Sequence, residues 1–189
     1  MQVRVESVHL GEIKVLVPEV FEDARGFFLE AYRQDQFRPL GIPDFVQDNH
    51  SGSVKNVVRG LHFQWDPPMA KLMRVTVGTA WLVAVDIRKG SPTLGKWLGV
   101  ECSAKNRRMV YAPPGFARGF CVLSDVAEIQ YKCSGIYNAK GEGGIRWDDP
   151  AIGVEWPVRE PILSGKDKTA PSLAEWLKTP PSDHFKFGG

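Results

Sequence analysis

Apolar residues recur along this chain in short runs, and several runs alternate with polar residues at a period of two. The cleanest is Ala127-Glu128-Ile129-Gln130-Tyr131-Lys132. Successive side chains of a strand point to opposite faces, which assigns Glu128, Gln130 and Lys132 to solvent and Ala127, Ile129 and Tyr131 to an interior. The same reading predicts strands at residues 3–7, 14–17, 26–32, 45–50, 57–64, 71–78, 79–88, 96–101, 108–111, 119–123 and 127–135. Turns rich in Gly and Pro separate them, at the spacing of a sandwich or barrel. Helical periodicity is brief, at residues 33–40 and 172–177, where Ser172 and Glu175 form a capping-box pattern.

So many short strands in one flat sheet would leave long edges open, whereas two packed sheets or a rolled barrel cover them. The pattern predicts an all-β jelly roll with short peripheral helices, in one domain over residues 1–189 with an irregular tail from about 179. No repeat of about 20–50 residues supports a propeller or solenoid.

Composition narrows the function. Hydrophobic residues make up 43% and charged residues 24%, an ordinary globular balance. Net charge is only +2, from 24 basic and 22 acidic residues, so neither nucleic acid nor an anionic membrane is the expected partner. No run approaches the roughly 18 apolar residues of a membrane span, and Met1-Gln2-Val3-Arg4-Val5-Glu6 has no apolar signal core. Cytoplasm is the expected compartment. Cys102, Cys121 and Cys133 are odd in number and lack Cys-x-x-Cys spacing, which predicts thiols rather than disulfides or a zinc ribbon.

Val57-Val58-Arg59-Gly60-Leu61-His62-Phe63-Gln64 is the most informative segment for chemistry. A lone His in an apolar strand is usually a satisfied core residue. Here Arg59 lies three positions before His62. In a regular strand the two would face opposite sides, so a shared cavity requires an irregularity, for which Gly60 supplies the freedom. An inward Tyr131 needs a hydrogen-bond partner, structural or reacting. Lys71, after Pro67-Pro68, starts a strand and is either solvated or placed to balance an oxyanion. Arg25 is either a surface charge or a fork for a diphosphate. There is no Gly-x-Gly-x-x-Gly, Walker or Gly-x-Ser-x-Gly signature, and His9, His50, His62 and His184 never form a close pair, so no metal site is expected.

Taken in order, these segments resemble the dTDP-4-dehydrorhamnose 3,5-epimerases. The matching stretches include Asp23-Ala24-Arg25-Gly26-Phe27-Phe28-Leu29-Glu30, Phe45-Val46-Gln47-Asp48-Asn49-His50-Ser51, Val58-Arg59-Gly60-Leu61-His62-Phe63-Gln64, Lys71-Leu72, Pro114-Gly115-Phe116-Ala117, Tyr131-Lys132 and Leu163-Ser164-Gly165-Lys166-Asp167. One such motif would say little; the series in register is specific. The resemblance implies a cupin-type jelly roll, a homodimer, no metal or organic cofactor, and a dTDP-linked 4-keto-6-deoxyhexose substrate. It implies His62 as catalytic base, Asp167 as its orienting carboxylate, Tyr131 as acid and Lys71 beside the 4-keto oxygen. It implies contacts to nucleotide or sugar from Arg25, Glu30, Gln47, Asn49, Arg59, Glu142 and Lys166, with Arg25 reaching a neighbouring subunit.

The family commonly has His in Gly-Phe-Ala-His-Gly-Phe, where this chain has Gly115-Phe116-Ala117-Arg118-Gly119-Phe120. Arg118 is therefore expected to touch phosphate or sugar, and it leaves open an epimerase acting at C3 or C5 alone. A sugar-nucleotide-binding cupin without catalysis is the other reading.

Overall fold

The computed structural model describes residues 2–188. In chain order its strands are β1 (Val3–His9), β2 (Ile13–Pro18), β3 (Val20–Asp23), β4 (Gly26–Leu29), β5 (Gln47–Val54), β6 (Val58–Gln64) and β7 (Lys71–Val77). They continue with β8 (Thr79–Asp86), β9 (Trp97–Ser103), β10 (Met109–Ala112), β11 (Phe116–Val122), β12 (Val126–Cys133) and β13 (Glu142–Gly144). The helices are α1 (Gln34–Phe37), α2 (Gly165–Lys168) and α3 (Leu173–Leu177), with single 3-10 turns at Arg38–Leu40 and Pro180–His184.

Every strand expected from alternation is present, with ends displaced by a few residues. The strands form two antiparallel sheets, ordered β1-β2-β10-β7-β12-β5 and β13-β6-β11-β8-β9, and a separate β3–β4 hairpin. This is the jelly-roll arrangement. Between the sheets lie Met73, Val75, Leu82, Ala84, Phe116, Phe120 and Ile129. The outer face of the second sheet is covered as well: Phe63, Val83 and Val85 pack against Leu173, Trp176 and Phe185. Both faces of β11 are therefore covered, and all seven of its residues are buried. That double cover erases the polar alternation that a half-exposed strand would show.

The stretch expected to be an irregular tail is partly ordered. Pro180–His184 forms a 3-10 turn, Phe185 is 4% exposed, and Lys186 bridges to Lys89. Met1 and Gly189 lie outside the described residues. Among the described residues no helix is long and apolar enough to cross a membrane.

Two local features open a cavity between the sheets. Strand β5, at one sheet edge, turns Gln47, Asn49, Ser51 and Ser53 inward and leaves Asp48, His50, Gly52 and Val54 exposed. Against it, β6 carries a bulge: Arg118 pairs with His62 but Phe120 pairs with Arg59, so three steps on β6 match two on β11. Gly60 makes this possible. Its φ is +136°, and a Cβ there would lie 2.6 Å from the Cα of Gly119.

Candidate active site

A cavity of about 220 Å³ lies between the two sheets. The second sheet contributes Arg59, His62 and Arg118; the first contributes Lys71 and Tyr131. The irregularity required for Arg59 and His62 to share one space is thus present. His62 and Tyr131 come from facing sheets, so an imidazole and a phenol stand on different walls of one chamber.

Asp167 sits behind His62. Its Oδ1 lies 2.5 Å from His62 Nε2, and its side chain is 3% exposed against 35% for the histidine. The start of α2 fixes this carboxylate. Ser164 caps the helix by accepting from the Asp167 amide, and its hydroxyl donates to Asp167 Oδ2 at 2.8 Å. Burial alone would raise the Asp167 pKa. Hydrogen bonding and charge from His62, the Ser164 hydroxyl and the Gly60 amide outweigh it and hold the group below the usual carboxylate range. The histidine therefore has an ionised partner at neutral pH.

Lys71 Nζ lies 5.1 Å from the Tyr131 ring centroid. Burial, and then the charge of Arg118, push its pKa down to about 8. Arg118 itself is 4% exposed and pushed down to about 10 by burial. Its guanidinium does not extend to the cavity mouth as a phosphate fork. Nη1 donates to the Ala112 carbonyl at 2.9 Å, and Nη2 donates to the Met69 carbonyl at 2.9 Å. Those two nitrogens are bonded to the main chain, while Arg118 remains among the residues that line the cavity.

The remaining expected residues fall into three places. Arg59 lines the cavity and donates from Nε to Ser53 Oγ at 3.1 Å. Glu142 and Lys166 pair with one another beside His62, and Tyr137 donates its hydroxyl to Glu142 at 3.0 Å. Burial acts to raise the Glu142 pKa, but Lys166 and Tyr137 hold it below the ordinary value. Gln47 and Asn49 share the inner face of β5, where Asn49 pairs in register with Tyr131, and Gln47 donates to Asn49 at 2.9 Å. Arg25 and Glu30 do not line the cavity of their own chain. Arg25 is 90% exposed at the tip of the β3–β4 hairpin and bonded to Asp23, while Glu30 pairs with Arg33.

Sequence reasoning missed Ser51, whose buried hydroxyl has no partner and lines the cavity. Extending the β5 alternation two positions beyond Asn49 would have found it. It also missed Ser164, although Ser164-Gly165-Lys166-Asp167 is a helix-start pattern. A second cavity, of about 250 Å³, lies at the hairpin between Phe27, Phe28, Met109, Arg74 and Arg107, and holds no histidine or carboxylate. Among the described residues no group of three or more His, Cys, Asp or Glu is placed to hold a metal ion.

Comparison with known proteins agrees with the resemblance. A family model described as dTDP-4-dehydrorhamnose 3,5-epimerase matches residues 7–175. The enzyme of that name from Shigella flexneri is 51% identical over 164 residues, covering 85% of this chain and 91% of the relative. The one from Neisseria gonorrhoeae is 50% identical over 172 residues; they are 90% of this chain but only 52% of that longer relative. A crystal structure of dTDP-6-deoxy-D-glucose-3,5-epimerase from Legionella pneumophila, in complex with dTDP-4-keto-L-rhamnose, superposes with a TM-score of 0.93 at 39% identity over the whole of both chains. The two-sheet jelly roll and this degree of likeness along nearly the full chain establish that the protein belongs to the dTDP-4-dehydrorhamnose 3,5-epimerase family.

Proposed function

We propose that the protein inverts C3 and C5 of dTDP-4-dehydro-6-deoxy-D-glucose to give dTDP-4-dehydro-L-rhamnose, the epimerisation step of dTDP-L-rhamnose biosynthesis. The observation that carries this reading is the placement of His62 and Tyr131 on facing walls of one cavity with Lys71 beside the tyrosine.

The chemistry follows from the ketone. A 4-keto group acidifies the hydrogens on both neighbouring carbons. Loss of one leaves an enolate, and return of a proton to the opposite face inverts the centre. His62 takes the proton. Asp167 holds the imidazole in one orientation and balances the imidazolium, as carboxylates do in other histidine-based sites. Tyr131 returns a proton from the other wall. Lys71 favours the negative oxygen by about 3 kcal/mol if it matches an oxyanion-hole donor. Arg59, Lys166, Gln47 and Asn49 hold the nucleotide diphosphate and sugar, where arginine's planar donors suit paired phosphate oxygens. These side chains complete the proton cycle without an electron sink, so no cofactor is assigned.

The working form is a cytoplasmic homodimer, each subunit a single domain. The exposed Phe21, Phe27 and Phe28 of the hairpin support the dimer, because such a cluster gains from being covered. The test is incubation with dTDP-4-keto-6-deoxyglucose in deuterated water, followed by NMR at C3 and C5. Deuterium at both carbons is expected. Deuterium at one carbon only would make the protein a one-centre epimerase, and none at either would remove the catalytic reading for this sugar.

A further inference from the structure

The floor of the cavity holds two cations, Lys71 and Arg118, and among the described residues neither makes an ion pair. Arg118 is gripped on both sides of Lys71. Its Nη2 binds the carbonyl of Met69, two residues before Lys71, and its Nη1 binds Ala112, which faces Lys71 in the β10–β7 register. Its Nε is buried without a partner. A guanidinium so held is a fixed charge that cannot swing away from the lysine.

We propose that Arg118 is the positioning residue that makes Lys71 a proton donor to the substrate's 4-keto oxygen, rather than a permanent cation beside it. The inference rests on the epimerase reading and extends it. As His62 removes the carbon-bound hydrogen, the C–H pair becomes the new C=C bond and the carbonyl pair moves to oxygen. Lys71 Nζ passes a proton to that oxygen, giving a neutral enol and a neutral amine. When carbon is reprotonated the enol proton returns to Nζ, so nothing is consumed.

The other charged or titrating groups facing Lys71 do not account for this. Glu142 on β13 and Lys166 on α2 are bonded to each other, so their charges offset. His62 on β6 is committed to Asp167. On β12, burial pushes the Cys133 thiol up and keeps it protonated, and Tyr131 presents its ring. Arg59 lines the same cavity but is held on β5 by Ser53 and the Gly52 carbonyl. Arg118, by contrast, is bonded on either side of Lys71 and is the fixed charge nearest to it in the chain's pairing. The Lys71 value of about 8 accords with this after burial.

The experiment is acetylation of Lys71 by acetic anhydride across pH 6 to 10, read by mass spectrometry, in wild type, R118K and R118Q. The expected midpoint is about 8 in wild type. R118K, still charged, should keep it low, and R118Q should raise it by about one pH unit. R118H, neutral above its own titration, serves if R118Q fails to fold. An unmoved midpoint in a folded neutral variant overturns the proposal. In turnover, the alkaline limb of kcat should move with the labelling midpoint. K71R, charged but unable to release a proton here, should lose kcat by on the order of 100-fold with KM little changed. Near-normal kcat in K71R equally overturns the proposal. Labelling needs no turnover, so a failed deuterium exchange in wild type would refute the epimerase reading separately.

Discussion

Asp167 stands 105 positions after His62, yet their side chains meet at 2.5 Å. No periodicity connects two residues so far apart, and only the resemblance paired them. Tyr131 was legible by alternation, because a half-buried strand states which face each residue takes. Arg118 was legible as a departure, but its direction was not: β11 is buried on both faces, so its sequence does not reveal which polar groups await the guanidinium. If His62 is the base, His62→Ala abolishes deuterium exchange while dTDP affinity, measured by calorimetry, stays largely intact. Retained exchange would remove it from that role. Tyr131→Phe should keep some exchange and lose inversion, since the carbanion still forms but lacks its donor; normal product formation would make the phenol structural.

At the scale of elements, what could be read depended on whether the instructions were local. The α3 capping box is present in full, because Ser172 and Glu175 exchange hydrogen bonds within one turn. Strand β13 was not foreseen: Glu142-Gly143-Gly144 has no strand propensity and is extended because β6 pairs with it. Helix α3 matters to the site because Trp176 lies 4.5 Å from the ring of Phe63, the neighbour of His62 on β6. Trp176→Ala should cost about 3–5 kcal/mol by emptying that contact, and Ser172→Ala about 1 kcal/mol, both measured by urea unfolding. Equal costs would argue that the aromatic cluster is not what braces β6.

The end of β8 supplies a second test. Asp86 is fully buried and accepts from Arg88, Ser91 and Thr93. Burial would raise its pKa, but these donors hold it below the usual carboxylate range. The unfolded chain therefore binds this proton at the higher pH. The contribution to stability is full above roughly pH 4 and fades as pH falls through the lower folded value. Asp86→Ala leaves Arg88 with Glu12 as its remaining carboxylate partner and should cost about 1.5–3 kcal/mol at neutral pH. It should also flatten the acid side of the stability curve, and an unchanged acid slope would show that Asp86 is not the titrating group.

For the whole molecule, the open question in the sequence was where Arg25 works. The hairpin holds it away from its own cavity, with Phe27 and Phe28 exposed beside it. Alternation marks the second strand of the hairpin but does not say what covers it, because in the proposed dimer the covering surface would belong to another chain. In the proposed two-fold dimer each hairpin would reach the neighbouring cavity, so that every site uses residues of both subunits. Two inactive variants, Arg25→Ala and His62→Ala, should then restore one another when unfolded and refolded together in equal amounts. Half the dimers would be mixed, and each would hold one site with an intact His62 and a borrowed Arg25. Activity of about one quarter of wild type is expected if pairing is random. If mixing restores nothing while dimers form, Arg25 serves its own subunit after a hairpin movement, or serves neither; activity that rises with mixing fixes the arginine as the neighbour's.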